Sequence, residues 1–283
     1  MPIKPLQPYP ALLLQRKSER VLLVADLHLG WEASLTHKGV HVPSQTPKIL
    51  NKILELIKKC KPTRLIFLGD VKHAIAKVAM EEWRDIPDFF ETISKKVPNI
   101  QVIPGNHDGN LTPLLPKTVE ILPSKGAVFH DVGFFHGHAW LAPQLLGCRN
   151  LVTAHVHPMV AFRDPVGFRI TRQVWVKATC NCVKLAGPLL KHMRIKVDTD
   201  PVTLLKERFG VSARSSSKFL IMPSFSDFLG GQIINKRALR KDVRSRVFIG
   251  PVLRYGSVDI DNAETYLLDG TFVGTIKQLR KLS

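Results

Sequence analysis

Short apolar runs punctuate the chain, and the early ones each end in a polar cluster. Residues 12–14 (Leu-Leu-Leu) and 21–25 (Val-Leu-Leu-Val-Ala) read as strands on either side of the polar turn from Gln15 to Arg20. The second run is apolar throughout, as in a strand buried on both faces. It ends in Asp26-Leu27-His28-Leu29-Gly30, where period-two alternation sets Asp26 and His28 on one side and turns Leu27 away. Thr46-Pro47 opens a helix, and Ile49, Leu50, Ile53, Leu54, Leu56 and Ile57 give it an apolar face to about Lys59. The next strand, 64–68, is followed by Gly69-Asp70-Val71-Lys72-His73. A second helix, from about Val78 to Lys96 and interrupted at Pro87, leads into a strand at 100–103 that stops at Pro104-Gly105-Asn106-His107-Asp108. Strand, helix, strand, helix, strand implies parallel strands joined by helical crossovers, with polar clusters at the carboxyl ends of the strands.

From residue 119 the pattern changes. Runs at 119–122, 127–130, 132–135, 151–153, 159–162 and 173–176 are short and separated by Gly and Pro turns. Two histidine pairs fall among them, His136-Gly137-His138 and His155-Val156-His157-Pro158, each alternating in strand fashion. A chain that is parallel in one half and antiparallel in the other suggests two packed sheets with helices outside. Beyond residue 185 the signal thins to a short helix at 202–209, a flexible polar loop at 214–218, and late strands at 219–222, 265–268 and 271–273. The last two are joined by an Asp269-Gly270 turn. No repeat, low-complexity tract or linker divides the chain. One domain over 1–283 is therefore expected, with its motifs at about 20–160 and a C-terminal part at about 185–283 that adds the late strands.

The composition, 45% hydrophobic and 23% charged, is that of a soluble globular protein. No run approaches the about 18 apolar residues of a membrane span. Met1-Pro2-Ile3-Lys4-Pro5 has none of the features of a signal peptide, so the expected location is the cytoplasm. Cys60, Cys148, Cys180 and Cys182 read as reduced core thiols, since no CxxC pair is present and the spacing makes no disulfide framework; Cys180 and Cys182, two apart, would share one face of a strand. Charge changes the picture more. The net charge is +18, and it is uneven: residues 1–159 carry 19 Lys and Arg against 13 Asp and Glu, whereas 160–283 carry 22 against 10. A balance of +12 in the second part draws polyanions, nucleic acid first.

Five polar clusters now stand at strand ends: Asp26/His28, Asp70/His73, Asn106/His107/Asp108, His136/His138 and His155/His157. Almost all carry ligand-type atoms. One metal ion cannot use so many, whereas two ions sharing a bridging carboxylate can. The order Asp-x-His, Gly-Asp, Gly-Asn-His-Asp, His-Gly-His, x-His-x-His resembles that of the calcineurin-like metallophosphoesterases. Within them the chain is most similar to the archaeal SbcD-related phosphoesterases and the ligase-associated PdeM-type endonucleases. Trp31-Glu32, Gly39 and Pro43 after the first motif, Pro223-Ser224-Phe225 with Gly230-Gly231, and residues 267–271 carry that narrower likeness.

The resemblance implies an α/β, four-layer fold of two packed mixed sheets flanked by helices. It assigns Asp26, His28 and His157 to one metal, Asn106, His136 and His155 to the other, and Asp70 to the bridge. His107 would sit beside the scissile phosphate, with His73 as a second catalytic group, and Asp108 would support the site from its turn. His138 is a possible substrate contact. The metals would be manganese, with iron or zinc as alternatives. Where many phosphomonoesterases of the superfamily have Asp three residues after the bridging Asp, this chain has His73, as the SbcD-type nucleases do. The implied activity is phosphodiester hydrolysis in DNA, in a repair setting. Alternatives are a small-molecule or nucleotide phosphoesterase, and a non-catalytic basic scaffold for a repair helicase or ligase. Lys236, Arg237, Arg240, Lys241, Arg244 and Arg246 form a basic run that suits phosphate tracking. Its alternative is an ordinary solvated surface.

Overall fold

The computed structural model describes residues 2–36, 39–163, 166–236 and 248–281. They form two compact units, Met1–Ser124 with Ser224–Leu229, and Lys125–Pro223 with Gly230–Ser283. No helix among the described residues is long and apolar enough to cross a membrane.

The first unit is built on a six-stranded mixed sheet in the order β1-β2-β3-β4-β5-β6. Its strands are β1 (Ile3–Pro5), β2 (Ala11–Arg16), β3 (Glu19–Val24), β4 (Arg64–Leu68), β5 (Asn99–Ile103) and β6 (Val119–Ile121). β1, β2 and β3 pair antiparallel, and β3 through β6 run parallel. The short helix α1 (Ala33–Thr36) follows the first motif, and α2 (Thr46–Cys60) and α3 (Met80–Ser94) are the crossovers. Val21, Leu22, Leu23 and Val24 of β3 are all buried, as a wholly apolar run requires. Phe67 of β4 meets Phe89 and Phe90 of α3 with ring centroids 6.1 and 5.1 Å apart. Pro87 does not interrupt α3. Ile86, Phe89, Phe90 and Ile93 are buried on either side of it, and that burial outweighs the missing N–H of one proline.

The second unit holds a nine-stranded mixed sheet. Its strands are β7 (Ala127–Phe129), β8 (Val132–Phe134), β9 (Asn150–Thr153), β10 (Pro158–Arg163), β11 (Arg169–Cys180), β12 (Ser217–Ile221), β13 (Gln232–Ile233), β14 (Glu264–Leu267) and β15 (Phe272–Thr275). The main path runs β13-β10-β11-β12-β9-β8-β7, and β14 pairs with β11 and β15. Helices α4 (Val183–His192), α5 (Pro201–Phe209), α6 (Pro251–Arg254) and α7 (Ile276–Leu279) complete it. Two expectations are corrected here. Ser217 belongs to β12 rather than to a flexible loop: it is buried, and its hydroxyl donates to the Cys148 carbonyl at 2.7 Å. Cys182 lies beyond β11 at the start of α4, so the two thiols do not share a strand face, although Sγ of Cys180 and Cys182 are 3.9 Å apart. All four cysteines are free and buried.

Candidate metal centre

Each of the five clusters lies just past a strand, but strand alternation is not what gathers their side chains. β3 ends at Val24, and Asp26 and His28 then take left-handed backbone conformations, φ 55° and 47°. Asp70, His155 and His157 do the same, at 50°, 69° and 45°. Left-handed φ is costly for any residue with a Cβ, so five such residues among the motif positions mark backbone bent for a purpose.

In the first unit the bent segments are stitched together by main-chain bonds. The Asp26 N–H donates to Gly69 O at 3.0 Å, the His28 N–H to Asp70 O at 2.9 Å, and the His73 N–H to Leu29 O at 3.0 Å. The parallel pairing of β3 with β4 thus continues beyond both strand ends. Ser224 Oγ donates to Asp26 O at 2.8 Å, and the Phe225 N–H donates to Ala25 O at 2.9 Å, so the 224–225 stretch braces the first motif. Asp26, His28 and Asp70 are buried, and each offers a ligand atom within 4.8 Å of the others.

The Gly105–Asp108 loop closes on Asp70. A Cβ at residue 105 would fall 2.1 Å from Asp70 Oδ1, a clash that only glycine avoids. The His107 N–H donates to that same oxygen at 2.9 Å. Asp108 holds the loop in place, with Oδ1 accepting from the Val71 and Lys72 amides at 2.9 and 3.3 Å and Oδ2 from the Gly105 amide at 2.8 Å. Asn106 Oδ1 is buried with no hydrogen-bond partner among the described residues.

His28, His73 and His107 form a trio with nitrogens within 4.8 Å of one another. His73 Nδ1 lies 3.2 Å from His28 Nδ1, and the His107 ring centroid is 4.6 Å from that of His28. His107 Nδ1 donates to the His73 carbonyl, which leaves Nε2, 4.0 Å from Asp70 Oδ2, as its free reactive nitrogen. Burial, and after it the neighbouring His107, holds the pKa of His73 below the ordinary imidazole value, against the opposite pull of Glu82, Asp70 and Glu32.

Glu82 is a residue the sequence reading missed. It is buried at the start of α3, where Oε1 accepts from the His73 and Ala74 amides at 2.9 and 2.7 Å and Oε2 accepts from the Ala79 amide at 2.9 Å. One carboxylate therefore caps the helix and fixes the loop that carries His73. Its only sequence signal is an acid three residues after the residue preceding the helix, which is also what a plain cap looks like.

In the second unit His136 is fully buried, and its carbonyl accepts from the Ala154 amide and Thr153 Oγ1, both at 2.9 Å. The rings of His136 and His155 are 5.0 Å apart, and His138 lies 5.3 Å from His136 and 6.1 Å from His155. The His157 carbonyl accepts from the Gln232 amide at 3.0 Å. Of the basic run, Lys236 is exposed, and Arg237, Arg240, Lys241, Arg244 and Arg246 lie outside the described residues.

The donor set suits divalent ions. Carboxylate and amide oxygens with imidazole nitrogens are the mixed shell that manganese, iron or zinc accepts, and an orphaned buried amide oxygen at Asn106 is stabilised by a cation. Asp26, His28, Asp70 and Asn106 in the first unit, and His136, His155 and His157 in the second, are the residues fit to hold them.

None of the curated proteins compared matches the chain. Among solved structures it is similar to the Pseudomonas putida nuclease MPE, at 17% identity over 92% of this chain and 97% of that one, with a TM-score of 0.48. It is also similar to Yfce, a phosphoesterase from E. coli, at 19% identity over 51% of this chain and 73% of that one, with a TM-score of 0.33. The calcineurin-like phosphoesterase family matches residues 19–187, a span that takes in all five clusters. On that match, and with a ligand set of the right chemistry in place, the chain belongs to the calcineurin-like phosphoesterases and is a metal-dependent hydrolase of phosphate esters.

Proposed function

We propose that the chain is a two-metal phosphodiesterase of DNA, acting as one catalytic domain over 1–283, with manganese at both positions. The assignment of Asp26, His28 and His157 to one ion, Asn106, His136 and His155 to the other, and Asp70 to the bridge follows the family order of motifs. Two divalent ions, when bound, make a water acidic enough to attack phosphorus and offset the charge that builds on the phosphate.

The chain's own groups do the rest. If His28 binds through Nε2, its Nδ1–H donates to His73 Nδ1, and His73 is left with an Nε2–H aimed away from His28. His107, with its own proton fixed on Nδ1, presents Nε2 to accept or return a proton at the leaving oxygen. The Asp108 carboxylate accepts from three backbone amides and supports the loop. The observation that carries the DNA reading is His73. An imidazole at this position, kept neutral by burial, donates to a phosphate oxygen, whereas a carboxylate would repel a diester's flanking phosphates. The +12 balance of residues 160–283 supports a polyanionic substrate. The resemblance to repair nucleases extends the proposal to a repair setting beside a helicase or ligase. Free buried thiols suit the reducing cytoplasm, where we place it.

The test is manganese-dependent cleavage of end-labelled single-stranded, duplex and flapped DNA, with bis(p-nitrophenyl) phosphate as a small diester. Wild type cuts DNA. Asp70→Asn is inactive, and His107→Ala loses about 10²–10⁴-fold, the usual worth of a positioned proton donor. Turnover of the small diester with no cleavage of any DNA sinks the substrate assignment and leaves the metal site standing.

A further inference from the structure

The second unit carries a face that the chemistry above does not use. Trp140 follows His138 by two residues, and its ring stacks on His192 with centroids 5.7 Å apart and planes 25° apart. Tyr255 lies 5.1 Å from the same ring at 48° and is 55% exposed, so its aromatic face is open to solvent. The segment that bears Tyr255 is seated on the His136–His138 loop. Gly250, at φ 94°, approaches Gly137 so closely that a Cβ would lie 2.2 Å from the Gly137 carbonyl oxygen. Only glycine permits that contact.

Beside Tyr255 in sequence, Arg254 and Gly256 line a cavity of about 560 Å³ that also takes in Lys184 of α4, Ser215 and Ser216. Of its acids, Asp261 pairs with Arg280, while Asp259 accepts from the Asn262 side-chain amide at 3.1 and 2.9 Å and keeps its negative charge, so the cations of the lining outnumber its acids by one. Lys184 and Arg254 are exposed and make no ion pair among the described residues. Two uncommitted cations and two hydroxyls over a cavity of ligand size suit a phosphate. The exposed ring of Tyr255, next to Arg254 in the chain and outside the cavity lining, suits the face of an unstacked base.

We infer that this face is a subsite for one nucleotide of single-stranded DNA flanking the scissile position, with the phosphate at Lys184 and Arg254 and the base against Tyr255. The inference rests on the DNA reading of the active site. It also narrows it, because a base inside a duplex has no free face to stack.

The experiment is fluorescence anisotropy of a labelled oligothymidylate with metal-free protein in EDTA, so that nothing is cut. Tyr255→Ala weakens binding about ten-fold, the loss of one stacked base, while Tyr255→Phe binds as wild type does and shows the fold intact. Lys184→Gln with Arg254→Gln flattens the dependence of log K on log salt by about 0.7, one phosphate contact on a single strand. Thymidine monophosphate competes far more weakly than the oligonucleotide. If wild type binds the oligonucleotide and every variant matches it in affinity and salt slope, the subsite is wrong and the DNA reading survives. Competition by the mononucleotide at the oligonucleotide's own affinity also overturns it, since the cavity would then serve a small ligand. If wild type neither binds nor cuts DNA but turns over the small diester, the DNA reading falls and takes the subsite with it.

Discussion

Asp108 accepts from three backbone amides on two loops and is buried. Removing it strands those donors, and an unsatisfied buried amide costs about 1–3 kcal/mol. Asp108→Ala is therefore expected to lower stability by roughly 2–5 kcal/mol, read from urea unfolding of the metal-free protein, and to loosen His107 as a consequence. An unfolding midpoint equal to that of wild type would mean that water replaces the carboxylate without penalty. His73 makes a different prediction. Its folded pKa is depressed, chiefly by burial, so between that value and the ordinary one the unfolded chain binds more protons than the folded chain. Its contribution is present at neutral pH and is lost as pH falls through the imidazole range. In EDTA, His73→Gln should weaken the acid-side loss of stability over pH 5–7 relative to wild type. Equal slopes for the two proteins would remove His73 from the account.

At the scale of elements, what could be read from the sequence depended on how a residue's neighbours constrain it. β3, β4, β5 and α2 were readable because apolar runs of fixed period admit one burial pattern. The ligand positions were readable as residue types, but the geometry behind them was not: alternation predicts that Asp26 and His28 share a side, and left-handed φ at both is what places them. Nothing in the sequence signals that bend. α4 was hidden by Gly187 and Pro188 in its middle, yet Leu185, Ala186, Leu189 and Leu190 are buried at helical spacing. Glu82 was hidden because its partners are backbone amides eight and nine residues upstream. Pro87 misled in the other direction, by suggesting a break that tertiary burial overrides. Its cost persists, since an interior proline has no N–H to bond the carbonyl four residues before it. Pro87→Ala should therefore raise stability by about 1–3 kcal/mol in thermal or urea unfolding. A destabilised variant would show that the proline ring, half-buried in the helix, contributes more by packing than it costs the backbone.

Across the whole molecule the charge of +18 is concentrated where the family's first motifs are not, in residues 160–283. A field of that kind does nothing specific for a small ester, whose binding involves a single phosphate. It does a great deal for a strand, because each phosphate neutralised by Lys or Arg releases counterions, and the logarithm of affinity then falls with the logarithm of salt at about 0.7 per contact on single strands. Two measurements on one preparation separate these cases. Affinity of the metal-free protein for an oligonucleotide should fall steeply between about 50 and 200 mM salt, with a slope equivalent to several contacts. Turnover of bis(p-nitrophenyl) phosphate by the manganese-loaded protein should change little over the same range, since ion screening acts mainly on separated charges. If both quantities respond alike, and weakly, the basic half is a solvated surface and the enzyme acts on small esters. If binding alone is steep, the charge serves a chain of phosphates, and its slope counts how many of them the protein holds.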